Sequence, residues 1–421
     1  MFQVLGGVWA LLIGMVLIMA GNGMQSTLMG VRGGIEGFST LNLSIITAGY
    51  FVGFLLGARL APRMIRHVGH VRVFAALGSF MSAALIAYPL LAEPAAWAFL
   101  RIVIGFSMSG IYVTAESWLN NSASNATRGK LLSAYMLAQT VGDMSAQGML
   151  NLADPAGPAL FIADSMLVSL SFAPILLSAS PVPVTQSTKA MSLRRLFRAS
   201  PLGAVGIFLL GGVYSAQAGM AAVYGSTAGL GVREISILIT SLLGGSLVLQ
   251  YPIGWLSDRM DRRRVIILAA TVGAAACTLG FLSDAALPVL MAAAFFTGGM
   301  AMPLYSLLVA YVNDYLDPED MPAASGTLIF AYGSGAITGP IIAGQAMELT
   351  GPQAFWLVLA GLFAAIALYG LWRMTRRPGV SAEDASAYFG TIPTGSSLAI
   401  ETAQEAVQYE EEQAEDSGQT G

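Results

Sequence analysis

Three ionisable side chains, Arg101, Asp143 and Asp164, lie inside long apolar runs of the sequence. Charged groups are costly in hydrocarbon, and those found within membrane-spanning segments usually serve binding or proton transfer. Gln139 and Gln147 stand four residues before and after Asp143, so all three would share one helical face. We therefore predict that Asp143 is a proton-titrating or substrate-binding acid. The alternative is a hydrogen-bond ladder between helices that binds no ligand.

Arg101 is predicted to lie at a depth similar to that of Asp143, and an ion pair between them would lower the burial cost of both. A purely structural pair remains the alternative. Asn22, Gln25 and Tyr112 are predicted to line the same cavity, with Gln139 as a further polar neighbour.

Asp164 and the two histidines are expected to contact water rather than a ligand. Asp164 lies nearer to the end of its apolar run, so we expect its carboxylate to reach interfacial water. His67 and His70 belong to a basic loop and are expected to be solvated.

The composition indicates that membrane-spanning helices hold these residues. Of 421 residues, 55% are hydrophobic and 10% are charged, and the mean hydropathy is +0.68; a soluble domain has about 25% charged residues. Twelve apolar runs approach or exceed the roughly 20 residues that a helix needs to cross the bilayer, from 4–30 through 130–151 to 352–373. No basic segment precedes the first run, so we expect a span there rather than a cleaved signal.

These runs predict an all-α membrane protein of twelve transmembrane helices in two pseudo-symmetric six-helix bundles. The predicted divisions are an N-terminal bundle at 1–180, a cytoplasmic linker at 181–200, a C-terminal bundle at 201–375 and an acidic tail at 376–421. The tail has nine acids and no base after Pro378, and this composition is typical of disorder. Of the 20 basic residues, 17 fall on the side of both termini, which predicts that this side is cytoplasmic.

The two halves of the sequence resemble each other at a nearly constant offset. Tyr112 and Tyr305 are 193 residues apart, as are Gly142 and Gly335. Two parallel repeats of this kind place a substrate site near mid-membrane, between the halves.

The loop between the eighth and ninth spans contains Gly254, Asp258, Arg259 and Arg262. It resembles the signature cytoplasmic loop of the major facilitator superfamily, in which an aspartate follows a glycine by four residues and precedes a basic cluster. The equivalent loop of the first half begins at Gly57 and has Ala61 in place of that aspartate.

Further motifs carry the same resemblance. Residues 116–120, with the sequence Glu-Ser-Trp-Leu-Asn, are similar to the YcaD-like branch of the superfamily. Arg101 to Gly105 resembles the superfamily's intramembrane arginine motif, which implies proton coupling. The resemblance covers about residues 1–375 and implies the major facilitator fold.

In that architecture the loops of one half face helix ends of the other, which predicts a cytoplasmic gate. Glu116 is expected to pair with Arg63 or Arg66, and an acidic loop is expected to face the basic 2–3 loop and latch this side shut. The predicted gate residues are Gly57, Arg63, Arg66, Glu116, Gly254, Asp258, Arg259, Arg262, Asp314, Asp317 and Asp320.

The function expected from these features is secondary active transport of a small molecule by alternating access, coupled to protons. A membrane sensor built on a transporter scaffold is the alternative. We expect no enzyme activity, because both histidines lie in one loop and no His-Glu-x-x-His segment is present. The expected partners are a small-molecule substrate, protons and the lipid bilayer, without cofactor, metal or nucleic acid, for a monomer in the plasma (inner) membrane.

Overall fold

The computed structural model describes residues 2–177, 191–283, 286–317 and 320–376, together with Ile400, Thr402, Ala403 and Ala406. Most of the tail predicted to be disordered, and the first part of the predicted linker, therefore lie outside the described residues. Within the tail, Ile400, Thr402, Ala403 and Ala406 are helical and buried.

Twelve long helices build the described part of the chain, as predicted. They are α1 (Phe2–Ile35), α2 (Thr40–Val68), α3 (His70–Ala87), α4 (Pro94–Ser122), α5 (Asn125–Met149), α6 (Ala159–Ser171 with Ala173–Leu177), α7 (Pro201–Thr227), α8 (Val232–Ser257), α9 (Arg262–Phe281), α10 (Leu287–Asn313), α11 (Met321–Thr350) and α12 (Ala354–Met374). Within the described ranges, eleven helices are long and apolar enough to cross a membrane. The twelfth is α5, which has 25 residues but includes Arg128, Lys130 and Asp143.

Short connections make consecutive helices run in opposite directions. The start of α1 and the end of α12 therefore lie on one side of the molecule, which we call the terminal side. The α1–α2 and α7–α8 connections lie on the opposite side, which we call the loop side.

Local signals set the helix ends. Ser39 precedes α2, and its side chain accepts a hydrogen bond from the Asn42 N–H at 3.1 Å. Asp261 precedes α9 and accepts from the Arg263 N–H at 3.0 Å. Each of these caps satisfies a backbone donor that the first helical turn leaves unpaired.

The same helix pairs pack in both halves: α1 with α5 and α2 with α4 in the first, α7 with α11 and α8 with α10 in the second. Glycines 193 residues apart make equivalent crossings. A Cβ at Gly105 would clash with a backbone carbonyl of α2, and one at Gly298 with a carbonyl of α8. Gly142 and Gly335 abut carbonyls of α1 and α7 in the same way. Small residues let helix backbones approach closely, so the predicted repeat is confirmed at the level of helix packing.

The described part of the linker is bound to the second half. It forms a short helix, Leu193–Ala199, in which Arg195 pairs with Asp320 at 2.5 Å. Just before it, the Thr327 hydroxyl donates to the Met191 carbonyl at 2.6 Å. The connection between the halves is thereby fixed to the start of α11.

Candidate functional site

A cavity of about 160 Å³ lies between the two halves. Helices α1, α2, α4 and α5 line it from the first half, and α7, α8 and α10 line it from the second. An apolar cavity of roughly 150 Å³ in another protein holds one benzene molecule. This space therefore suits a small organic molecule.

Arg101 projects from α4 into the wall of this cavity and is only 4% exposed. One Nη donates to Oε1 of Gln25, and the other donates to the Ser26 hydroxyl at 3.0 Å. Its guanidinium carbon lies 4.9 Å from the centre of the Tyr50 ring, a cation–π distance. Neutral dipoles and a ring thus hold the positive charge, and no acid in the described part of the chain lies within ion-pair distance of it.

Asp143 lines the same cavity from α5 and packs beside Gly23 of α1, where a Cβ would lie 3.0 Å from its Oδ1. It forms no ion pair or hydrogen bond with any other described residue. The structure therefore does not contain the expected pair with Arg101, because that guanidinium is turned towards α1 and α2. The Tyr50 hydroxyl lies within electrostatic range of both charges.

The other predicted site residues gather around these two charges. Asn22, Gln139 and Tyr112 line the cavity, and the Tyr112 hydroxyl lies 3.3 Å from the Met19 sulfur. Gln25 is fully buried behind Arg101.

Sequence reasoning missed Tyr50 and Thr47, which also line the cavity. Their spacing of three residues on α2 was the available signal, because it puts both polar groups on one face of an otherwise apolar helix.

The second half contributes a different wall. Its lining residues are mainly apolar, with Ile239, Leu243 and Leu247 on α8 and Met302 on α10. Ser246 and Gln250 are the polar members on α8. No charged residue of the second half lines the cavity within the described ranges.

Asp164 lies outside this cavity, on α6 against Gly21 of α1. Its side chain is fully buried, and neither carboxyl oxygen has a hydrogen-bond partner among the described residues. The expectation that it reaches interfacial water is wrong, because α1 and α3 pack against α6. His70 is also buried rather than solvated, with Nε2 lying 2.8 Å from the Ser117 hydroxyl.

The predicted gate residues of the first half do not pair as expected. Glu116 is buried and accepts a hydrogen bond from the Tyr135 hydroxyl at 3.1 Å. Arg63 and Arg66 are exposed and form no ion pair within the described residues. Glu116 is bonded to Tyr135 and lies within electrostatic range of Tyr305 in the second half. The two arginines are exposed instead, so the predicted pairing is absent from this conformation. Gly57 packs against the backbone of α4.

Two acids of the second-half gate, Asp314 and Asp320, have partners within that half or on the linker. Arg262 binds Asp314 at 2.6 Å in a pair whose side chains are almost fully buried, and Asp320 binds the linker as described above. Asp317 is exposed. The remaining gate residues are Gly254, which is buried in α8, Asp258, which ends that helix, and Arg259, whose guanidinium lies 4.2 Å from the Trp255 ring centre.

On the loop side, by contrast, the two halves are in contact. The Thr40 hydroxyl of α2 donates to the Glu348 carboxylate of α11 at 2.6 Å. The Asn151 amide donates to the Ser236 hydroxyl of α8 at 3.0 Å. Gly30 of α1 lies so close to α7 that a Cβ there would be 2.7 Å from the Cβ of Ala222. The halves are thus packed together at the loop end of the cavity.

Two repeated six-helix bundles around a central cavity define a membrane transporter, and comparison with known proteins supports this class. The family model for the Major Facilitator Superfamily matches residues 203–396, and that for "Sugar (and other) transporter" matches residues 6–158. The two models together match most of the chain, which is an integral membrane protein with the major facilitator fold.

Its relatives include proteins of the YcaD-like branch. The MFS-type transporter YfkF of Bacillus subtilis (strain 168) is 26% identical over 331 residues, covering 77% of this chain and 83% of the relative. YcaD of Escherichia coli O6:K15:H31 (strain 536 / UPEC) is 24% identical over 361 residues, covering 84% and 92%. The predicted resemblance to this branch is confirmed.

Solved structures share the fold. The nucleoside transporter NupG matches with a TM-score of 0.72 at 15% identity, covering 88% of this chain and 99% of that one. A bacterial homolog of the human lysosomal transporter Spinster, in an inward-facing and unoccupied conformation, matches with a TM-score of 0.66 at 14% identity and covers 94% and 97%. At these identities the likeness concerns the fold alone.

Proposed function

We propose that this protein is a secondary active transporter that moves a small molecule by alternating access and is coupled to protons. The observation that carries the proposal is the central cavity, which holds Arg101 and Asp143 without an ion pair between them. Unpaired opposite charges at this depth are costly. Such a cost is characteristic of a site whose occupant, a substrate or a proton, completes it.

Alternating access is supported by where the halves touch. The contacts of Thr40 and Gly30 close the loop side, while Arg63, Arg66 and Asp317 are exposed on the terminal side. In repeat transporters one bundle rocks against the other around a fixed site. The opposite state would break the loop-side contacts and bring the terminal-side loops together.

The distribution of charge supports a cytoplasmic terminal side. The sequence predicts seventeen of the 20 basic residues on this side, and basic residues favour the cytoplasmic face. A reporter fused after Arg376 should therefore behave as cytoplasmic, and a periplasmic signal would contradict the orientation.

Alternating access can be tested without knowing the substrate, by measuring distances between spin labels in liposomes. The sole cysteine, Cys277, is buried and can be replaced first. One label pair, Leu152 with Arg233, spans the loop side; a second, Lys130 with Met260, spans the terminal side. Changing the pH should move the two distances in opposite directions. A single set of distances across the whole pH range would contradict the proposal.

Variants at the central acid test proton coupling. Asp143→Asn should remove the pH dependence of the balance between the loop-side-open and terminal-side-open states. The asparagine amide cannot take up or release a proton as the carboxylate does. The matched control is Asp154→Asn, which changes an exposed acid in the loop before α6. If Asp143→Asn keeps the full pH response, protons do not act through this residue.

Transport itself is tested by loading proteoliposomes from a cellular metabolite extract and identifying the accumulated solutes by mass spectrometry. Accumulation driven by an imposed pH gradient is expected. A protein that binds solutes in this extract but never accumulates them would instead be a sensor.

A further inference from the structure

The two charges of the cavity lie on the same wall. Arg101 and Asp143 both belong to the first half, on α4 and α5. Each lacks an oppositely charged partner among the described residues, and the Tyr50 hydroxyl is within electrostatic range of both. This wall therefore presents one positive and one negative group to the same small space.

The surroundings of Arg101 orient its charge without neutralising it. Gln25 and Ser26 hold the guanidinium through hydrogen bonds, and the face of the Tyr50 ring holds it through a cation–π contact. A carboxylate is the group that best matches a guanidinium, because it can accept two parallel hydrogen bonds. On the same wall, the Asp143 carboxylate is suited to a positively charged donor.

The facing wall, formed by the second half, carries no charged side chain among the described residues. Ile239, Leu243 and Leu247 line it from α8, and Met302 lines it from α10. Apolar side chains of this kind bind aliphatic or aromatic groups, and the small volume of the cavity limits the size of the whole ligand.

We propose that the substrate is a small zwitterion with one apolar group, such as an amino acid with an aliphatic or aromatic side chain. Its ammonium group binds Asp143, its carboxylate binds Arg101, and its apolar group lies against α8 and α10. This assignment rests on the proposed transport function and specifies the chemistry of its central site.

Three compounds with the same carbon skeleton separate the two charged contacts. L-leucine carries both charges, leucinamide lacks the carboxylate, and 4-methylpentanoate lacks the ammonium. The binding of each to the purified protein is measured as thermal stabilisation over a concentration series, since a ligand that binds only the folded state raises the midpoint. Alanine, valine and phenylalanine are measured alongside, so that the size of the apolar group is also varied.

We expect at least one zwitterion to bind, and each single-charge analogue of leucine to bind about 10- to 100-fold more weakly, the range for losing a hydrogen bond to a charged group. Asp143→Asn should make L-leucine and 4-methylpentanoate bind alike. Arg101→Gln should do the same for L-leucine and leucinamide. Asp154→Asn, the surface control, should leave all three affinities unchanged.

Two outcomes overturn the assignment. Leucinamide binding as tightly as leucine would show that the site takes organic cations, and the absence of binding by every amino acid tested would exclude the class. Because the analogue comparison is made on the wild-type protein, the test survives a variant that does not fold. Neither outcome affects the label distances, so a wrong substrate class is distinguishable from a wrong transport mechanism.

Discussion

Gly30→Ala should open the loop side. Gly30 of α1 faces α7 across the boundary between the halves, and an added Cβ would lie 2.7 Å from the Cβ of Ala222 and 2.8 Å from the backbone nitrogen of Val223. Contacts under 3.0 Å with backbone cannot be relieved by a side-chain rotation. The two helices must therefore separate.

The magnitude follows from two opposing effects. Overpacking a well-packed contact costs about 1–3 kcal/mol, and this cost applies only while the halves are closed on the loop side. Alanine is also a better helix former than glycine by about 1 kcal/mol, but that gain is present in both states and cancels. The equilibrium should therefore shift by about 5- to 150-fold towards the state that is open on the loop side.

The assay is the distance distribution between labels at Leu152 and Arg233. The control is Gly361→Ala on α12, because a Cβ at Gly361 has no heavy atom within 4 Å and the helix-propensity gain is the same. A longer distance is expected in Gly30→Ala alone. An unchanged distribution, or an equal change in the control, would refute the reasoning.

Three further predictions concern the terminal side. Arg262→Gln removes the buried ion pair with Asp314 and should lower stability by about 3–5 kcal/mol, measured by chemical denaturation. Replacing both residues with apolar ones should recover most of the loss. Burial alone would raise the pKa of Asp261, but hydrogen bonds and charge from Arg263 lower it. Its contribution to stability is therefore present above the unfolded pKa and is lost as the pH falls through the folded one. Asp261→Ala should lower the thermal midpoint at pH 7, and this loss should shrink as the pH is lowered through the acid range. Asp317→Asn removes an exposed acid of the predicted latch, whose ion pair would contribute about 0.2–1 kcal/mol. The Lys130–Met260 label distance should therefore become slightly longer, as the terminal side opens, and should not become shorter.

The sequence predicted the helices well, because run length and the repeat offset are properties of the chain itself. Helix α5 shows the limit of hydropathy. Its uncharged polar residues, such as Gln139 and Gln147, together with Asp143 keep it outside the eleven apolar helices, although the even count and the repeat require it. Its start was predicted at 130 and lies at Asn125, because the Ser124–Thr127 capping box begins the helix before the apolar run.

The sequence predicted which residues line the site better than it predicted which residues they contact. Asn22, Gln139 and Asp143 lie in one cavity because polar residues on helical faces inside a membrane turn towards each other. The pairing of Arg101 depends on the rotation of α4 relative to α1 and α2, which no spacing along the chain encodes. The pairing of gate residues depends in addition on which conformation is populated.

The uncharged second-half wall has a consequence for how related proteins can differ in substrate. A substitution at Ile239 or Leu243 changes the space that the cavity offers to a ligand by one or two methylene groups. Each methylene group changes the preference between two substrates by about 1–3 kcal/mol. Such an exchange leaves Arg101 and Asp143 untouched. Under the proposed function, the choice of substrate can therefore change through the second half while the charged groups of the first half stay the same.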